Sequence, residues 1–186
     1  MLIIPSRAFN SAKSSGKKKD YKIAAGWLER VSKPDPHYLE AQFFLGLCRY
    51  NMANFSGAEE CFQTVAASVP LNEVYDDLGA AQSRLNQPDT ALASFQKALE
   101  GDTGDPDYHF NVAYCLWRAK RFDGAVESFR AVLERNPYDA EATSLLGRAL
   151  KREGPRLGDP KSEARERLKT NYEEAAFRQL QAELGK

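Results

Sequence analysis

Small and large apolar residues recur along the chain at an almost fixed step. Gly46, Gly79, Ala113 and Gly147 stand 33, 34 and 34 residues apart, and the pairs Ala58/Phe62, Ala91/Phe95 and Ala125/Phe129 keep the same steps. Polar breaks such as Asn86-Gln87-Pro88 separate the apolar runs. The stretches Phe44 to Pro70, Asp77 to Thr103 and Asn111 to Pro137 are therefore copies of one frame. The same 34-residue step, taken backwards, carries Ala58/Phe62 onto Ala24/Leu28 and Pro70 onto Pro36, so an eroded copy precedes the first clear one.

Each copy predicts two helices. The first sets Leu45/Gly46, Leu78/Gly79 or Val112/Ala113 one turn from large residues on the same face. The second offers Ala and, four residues on, Phe, which stack on one face. Pro88 suits the first turn of such a second helix. A small residue facing a large one lets two helices approach closely, which favours an antiparallel hairpin. No hairpin buries its apolar face alone, so the copies must stack.

These residues resemble the tetratricopeptide repeat, whose signature combines a large residue, Leu, Gly or Ala and a Tyr-like residue with Ala-x3-Phe and a closing Pro. Tyr75, Leu78 and Gly79 fit in one repeat; His109, Val112, Ala113 and Leu116 fit in the next; Pro70 and Pro137 close theirs. Thr103 replaces one closing proline, and Arg49 and Gln82 replace the Tyr-like residue. The resemblance runs over roughly residues 20 to 154. It implies an all-α fold, a right-handed α-solenoid of helix-turn-helix repeats with a C-terminal capping helix. The expected divisions are a basic arm and degenerate repeat over 1–38, repeats over 39–71, 72–105 and 106–139, and over 140–186 a first helix, a loop and the closing helix.

Composition agrees and sets bounds. With 186 residues, 42% apolar and 28% charged, the chain can bury a continuous, elongated core. Formal net charge is zero, so no global field draws it to nucleic acid. The charge is uneven: residues 71–110 hold eight acids against two bases, and 148–169 hold eight bases against four acids. Such blocks are usually solvated faces. The stretch "SAKSSGKKKD" reads as a mobile or frayed basic arm. No stretch approaches a membrane span, and "MLIIPSR" is too quickly polar for a secretory signal. Cys48, Cys61 and Cys115 read as free thiols in a reducing compartment, so the expected location is cytoplasmic, or periplasmic if the chain is the tail of a longer exported protein. Arrays of this family occur as tails of bacterial multidomain proteins.

Catalytic chemistry is not expected. His37 and His109 have no Cys or His at metal-ligand spacing, and no glycine-rich phosphate loop opens a helix. The paired acids Asp76-Asp77, Glu59-Glu60 and Glu173-Glu174 lack a nucleophile or base nearby and read as helical surface. The expectation is a protein that is not an enzyme and uses no cofactor and no metal.

The ligand-like residues lie off the packing face. At about 100° per residue, Asp107, Phe110, Tyr114, Trp117 and Arg118 share a face roughly 140° from the one carrying Val112 and Ala113. The resemblance implies that this face lines a concave groove receiving a partner peptide. Its expected lining is Phe43, Leu47, Tyr50, Phe110, Tyr114, Trp117, Arg118, Arg148, Lys151 and Arg152, with Glu40, Asn51, Glu73, Asp76, Ala80, Ser83, Arg84, Glu141 and Ser144 at the remaining groove positions. Tyr, Trp and Arg supply most hot spots. Trp117 is read equally as an inter-repeat packing residue, and Phe43, Leu47 and Phe110 as residues covered by a preceding repeat. The family's carboxylate clamp wants Lys and Asn where Phe43 and Leu47 stand, which disfavours a receptor for chaperone tails.

After Gly154 the frame breaks. Asp159 and Pro160 suit the cap and first turn of a closing helix whose Ala164, Leu168, Tyr172, Ala175, Ala176 and Leu180 form one apolar face. That helix is expected to pack on the one running from about Ala140 to Arg152 and to cap the array, or less favourably to dock on another molecule. The functional expectation is a non-catalytic scaffold binding a protein or peptide partner in the concave groove. The alternative is a structural spacer or self-association tail of a larger protein.

Overall fold

A computed structural model describes residues 5–156 and 166–184. Ten helices run through the described residues: α1 Pro5–Ser15, α2 Lys18–Leu28, α3 Tyr38–Asn51, α4 Phe55–Ala66, α5 Asn72–Arg84, α6 Pro88–Gly101, α7 Pro106–Arg118, α8 Phe122–Arg135, α9 Ala140–Leu150 and α10 Glu174–Leu184. From α1 to α8 they pair as antiparallel hairpins, and each hairpin packs on the next. This is the helical solenoid that the pattern predicts.

Local chemistry sets the helix ends. Asn54, Asp105 and Asp139 cap α4, α7 and α9 by accepting from the N–H of Gly57, Asp107 and Ala142. Pro88 and Pro106 stand in the first turns of α6 and α7, where a missing N–H costs nothing. The first helices α3, α5, α7 and α9 all end in the same closing geometry. Ala53, Asn86, Lys120 and Arg152 take left-handed φ values of 64°, 60°, 59° and 55°. The next N–H in each case reaches back five residues, from Asn54 to Arg49, Gln87 to Gln82, Arg121 to Leu116 and Glu153 to Arg148. Gly16, with φ 65°, turns α1 into α2.

The small-to-large complementarity is present in contact. A Cβ added at Gly46 would lie 2.6 Å from the Phe62 ring, and one at Gly79 would lie 2.7 Å from Phe95. Phe62, Phe95 and Phe129 are fully buried, and Ala58, Ala91 and Ala125 beside them are equally closed to solvent. Gly147 differs. No described residue comes within 4 Å of a Cβ placed there. Among the described residues no second helix lies across the fourth first helix, α9, and its Leu150 is 57% exposed.

Two expectations are corrected. Residues 11–20, read as a frayed basic arm, are built into α1, the Gly16 turn and α2. Phe9 anchors that hairpin by packing on Tyr21 and Phe44 at 6.1 and 5.6 Å between ring centres. The closing helix exists, but it starts at Glu174 and does not pack on α9. Its Phe177 is buried against Tyr172, Ala176 and Leu180 join the apolar cluster of the amino-terminal repeats, and Gln181 donates to the Pro36 carbonyl. The reason lies in residues 166–173, which are extended, not helical. An extended chain rises about 3.3 Å per residue against 1.5 Å in a helix. It touches α3 at both ends, Glu166 at Tyr50 and Tyr172 at Phe43, and so sets α10 beside the amino-terminal repeats. The proposed cap at Asp159 and Pro160, and Ala164, lie outside the described residues.

Candidate partner-binding groove

The first helices α3, α5, α7 and α9 line the concave side, and residues 166–172 lie across it as an extended strap. Glu166 is the deepest group, with a side chain 0% exposed. Tyr50 on α3 donates to its Oε2 at 2.9 Å and Ser83 on α5 to its Oε1 at 2.7 Å. Arg118 on α7 closes the pocket, with Nη1 3.1 Å from the same Oε1, and Arg84 stands 3.9 Å from Oε2. Burial, and then the Glu166 charge, push the Tyr50 hydroxyl well above its ordinary range, so it remains a donor. Buried carboxylates are tolerable only when so paired.

The main chain of the strap is held as firmly as its side chains. Asn111 accepts from the Arg167 N–H at 2.7 Å and donates to the Arg167 carbonyl at 3.0 Å. The same Asn111 amide also donates to both oxygens of Asp76 at 2.9 Å, which fixes its orientation. Asp77 accepts from the Lys169 N–H at 2.8 Å, and Glu73 from the Glu173 N–H at 3.1 Å. These bonds go to main-chain groups of the strap and do not depend on its side chains.

Charged side chains add to the hold on the strap. The Arg167 guanidinium lies 3.6 Å over the Phe110 ring and reaches Asp107 at 3.1 Å and Asp139 at 2.7 Å. Although burial alone would raise the Asp139 carboxyl, the bonds from Arg167 and the Ala142 N–H hold it below the usual range. Lys169 binds Asp105 at 2.7 Å and Asp107 at 3.1 Å. Burial by itself would lower the Lys169 ammonium; the Asp105 bond and the Asp107 charge outweigh it and raise it. Asp105 and Asp139, 34 residues apart, thus serve both as helix caps and as seats for strap cations. Arg167 and Lys169 of the basic block pair with Asp105 and Asp107 of the acidic block.

The far end of the strap is aromatic. Tyr172 meets Phe43 edge-on at 5.0 Å and Phe44 at 6.0 Å, with the Phe177 ring tilted against it at 4.5 Å. Beside the strap remains a cavity of about 750 Å³, lined by Asn72, Tyr108, Lys169 and Asn171 among others.

The predicted lining residues divide into groups. Phe43, Leu47, Tyr50, Phe110, Tyr114 and Trp117 are buried. The strap touches Phe43 through Tyr172, Tyr50 through Glu166 and Phe110 through Arg167, and it engages Arg118 directly. Tyr114 stacks between Phe110 and Trp117 at 6.1 and 5.8 Å. Trp117 donates to the Glu153 carbonyl at 2.8 Å and carries the Arg148 guanidinium 4.7 Å over its ring, so it is covered where the chain leaves α9. Lys151 is exposed, and Arg152 turns toward α8, pairing with Asp123 at 3.0 Å.

Sequence reasoning placed Asp76-Asp77 on helical surface, and the structure corrects this: both are fully buried beneath the strap. Burial drives both carboxyls well above their ordinary range, with the bond from Asn111 pulling Asp76 back and the neighbouring Asp76 adding to the rise at Asp77. Asn111, Asp77, Asp105 and Asp139 were missed as groove residues. Asp105 and Asp139 carried a signal, standing just ahead of first helices at equivalent repeat positions. Among the described residues no helix is long and apolar enough to cross a membrane, and no cluster of His, Cys, Asp and Glu could hold a metal ion.

The tetratricopeptide repeat family profile matches residues 77–140 and 116–154, the part containing the Asn111 clamp. Residues 77–154 are tetratricopeptide repeats. No curated protein sequence matches it. Among solved structures, the tetratricopeptide-repeat fold here is similar to MamA, with 20% identity over 80% of each chain and a TM-score of 0.69. It is similar also to YrrB, described as a TPR protein with an unusual peptide-binding site, at 23% identity over 77% of this chain and 73% of that one, TM-score 0.64. The Yersinia enterocolitica type III secretion chaperone SycD, solved with a peptide of the translocator YopD, shares 21% identity over 66% of this chain and all of its own, TM-score 0.57.

Proposed function

We propose that this repeat array is a non-catalytic interaction scaffold that holds an extended segment of a partner protein in the groove of α3, α5, α7 and α9. The observation that carries this reading is the Asn111 clamp on both backbone groups of Arg167. A groove that satisfies an extended backbone with side-chain carboxamide and carboxylates is a peptide site by its chemistry, whoever supplies the peptide. The peptide-bound state of SycD and the peptide-binding site of YrrB lend the fold's support. The partner-contact residues are proposed to be Phe43, Tyr50, Phe110, Tyr114 and Arg118, joined by Ser83, Asn111, Asp107 and Asp139. Trp117 and Arg148 shape the groove's end, and Leu47 is buried in the core of the amino-terminal repeats.

The test is affinity capture with in-groove photo-cross-linking, comparing the native chain with Asn111→Ala. Capture that falls with Asn111→Ala, with cross-links mapped to one partner segment, supports the site. Equal capture by both chains contradicts it. Gly147, with nothing near its Cβ position among the described residues, and the exposed Leu150 on α9 favour a second reading as a spacer or self-association element. Light scattering across concentration separates the two, because self-association raises the mass without any partner.

A further inference from the structure

The strap itself describes the partner. It fills the groove with a fixed order of groups: the Glu166 carboxylate in the Tyr50/Ser83/Arg118 pocket, the Arg167 guanidinium on Asp107 and Asp139, and the Tyr172 ring on Phe43. A side chain from a neighbouring turn could cover a groove by accident. Matched backbone clamps at Arg167 and Lys169 could not arise so easily, since each needs a polar side chain at one height on a separate helix, α7 and α5.

We propose that residues 166–172 are a resident stand-in for the partner, which is an extended segment of a separate protein carrying a carboxylate, a guanidinium at the next residue and an aromatic ring five residues further on. This rests on the groove reading above and adds to it the partner's chemistry and the need to displace the strap. The strap is an imperfect occupant. Asp77 Oδ2 is buried with no hydrogen-bond partner among the described residues, and the cavity beside Asn171 is left unfilled. A segment that offers Asp77 a second donor and sets a larger side chain where Asn171 stands gains contacts the strap lacks. A second copy of this chain brings only the identical segment, and it competes with a tethered one whose effective concentration is of the order of millimolar. The separate protein is therefore the favoured occupant.

The experiment uses the full chain and a fluorescent peptide of the strap sequence, ERLKTNYE, followed by anisotropy. Three proteins are compared: the native chain, Glu166→Ala/Tyr172→Ala, and that double variant with Asn111→Ala added. With the competing strap weakened, the double variant should bind the peptide at least about tenfold more tightly than the native chain. Adding Asn111→Ala should remove the gain, and a peptide with Phe in place of Asn171 should bind more tightly than the parent peptide. Equal binding by native chain and double variant overturns the stand-in, as does a gain that survives Asn111→Ala. If equal binding accompanies Asn111-dependent partner capture, the groove reading stands while the stand-in falls; loss of both defeats both. Dimers of the native chain that ERLKTNYE dissolves in light scattering would make a second copy the occupant and overturn the separate partner. Circular dichroism checks each fold, and Glu166→Gln repeats the comparison should the double variant unfold.

Discussion

Gly79 on α5 lies so close under Phe95 on α6 that a Cβ would sit 2.7 Å from the ring. The first prediction follows from that contact and from its absence at Gly147. Gly79→Ala forces an overpacked helix pair and should cost about 1–3 kcal/mol. Gly147→Ala has open space in a helix interior and should be neutral or stabilise by up to about 1 kcal/mol. Phe95→Ala should cost about 3–5 kcal/mol, against little for exposed Gln96→Ala. Urea melts of the four variants check this, and equal effects at the two glycines would refute the repeat frame.

Arg118 holds Glu166 in a pocket closed to water. Arg118→Ala leaves that carboxylate with two hydroxyl donors and only the longer 3.9 Å pair to Arg84, so the strap should leave the groove in preference to keeping a poorly paired buried charge. Trypsin reports it. Cleavage after Arg167 and Lys169 should be slow in the native chain and at least about tenfold faster in Arg118→Ala, given that one broken buried pair exceeds 1.4 kcal/mol. Unchanged cleavage would mean that the Glu166 pocket does not retain the strap.

The buried pair Asp76 and Asp77 makes stability depend on pH. Both carboxyls are raised in the folded state, first by burial, with Glu73, Asp105 and Asp107 adding repulsion and Lys169 and Asn111 opposing it. A raised carboxyl contributes stability that is fully present below its unfolded value, about 3.9, and lost as pH climbs through the folded value. Asp139, held below its usual range, works in the opposite sense and only under more acid conditions. Urea midpoints should therefore fall from pH 5 to pH 8. Asp77→Asn, which keeps an acceptor for the Lys169 N–H, should flatten the slope; an unaltered slope would show that other groups set it.

Trp117 is 3% exposed and Trp27 47% exposed, so the two indoles report separate environments. In a Trp27→Phe background the emission should be blue-shifted already in the free protein. Trp117→Ala should cost about 3–5 kcal/mol, because it empties the junction of α7 and α9. A red emission, or a small loss on truncation, would move Trp117 from packing to an open groove wall.

Much of this was legible from spacing. Gly46, Gly79, Phe62, Phe95 and Phe129 gave away the hairpins because a 34-residue frame repeats the same packing problem and the same solution. The helical angle also set Phe110 and Arg118 off the packing face, and the family resemblance placed them and Tyr50 at groove positions. What escaped was long-range pairing. Leu168 and Tyr172 fit a helical stripe, but the competing backbone clamps of Asn111 and Asp77 pull residues 166–173 straight, a tertiary override of a local pattern. Asp76-Asp77 likewise read as surface because nothing local announced that a strap would cover them.

The central claim is that residues 166–173 lie extended in the groove, gripped through their backbone. Residue-resolved amide exchange by NMR tests it most directly. The account predicts protection at the Arg167 and Lys169 amides, with Asn111→Ala releasing the first and Asp77→Ala the second, while α5 and α7 keep theirs. Continuous helical protection through 166–172 that survives both substitutions, or free exchange at both amides in the native chain, would contradict it.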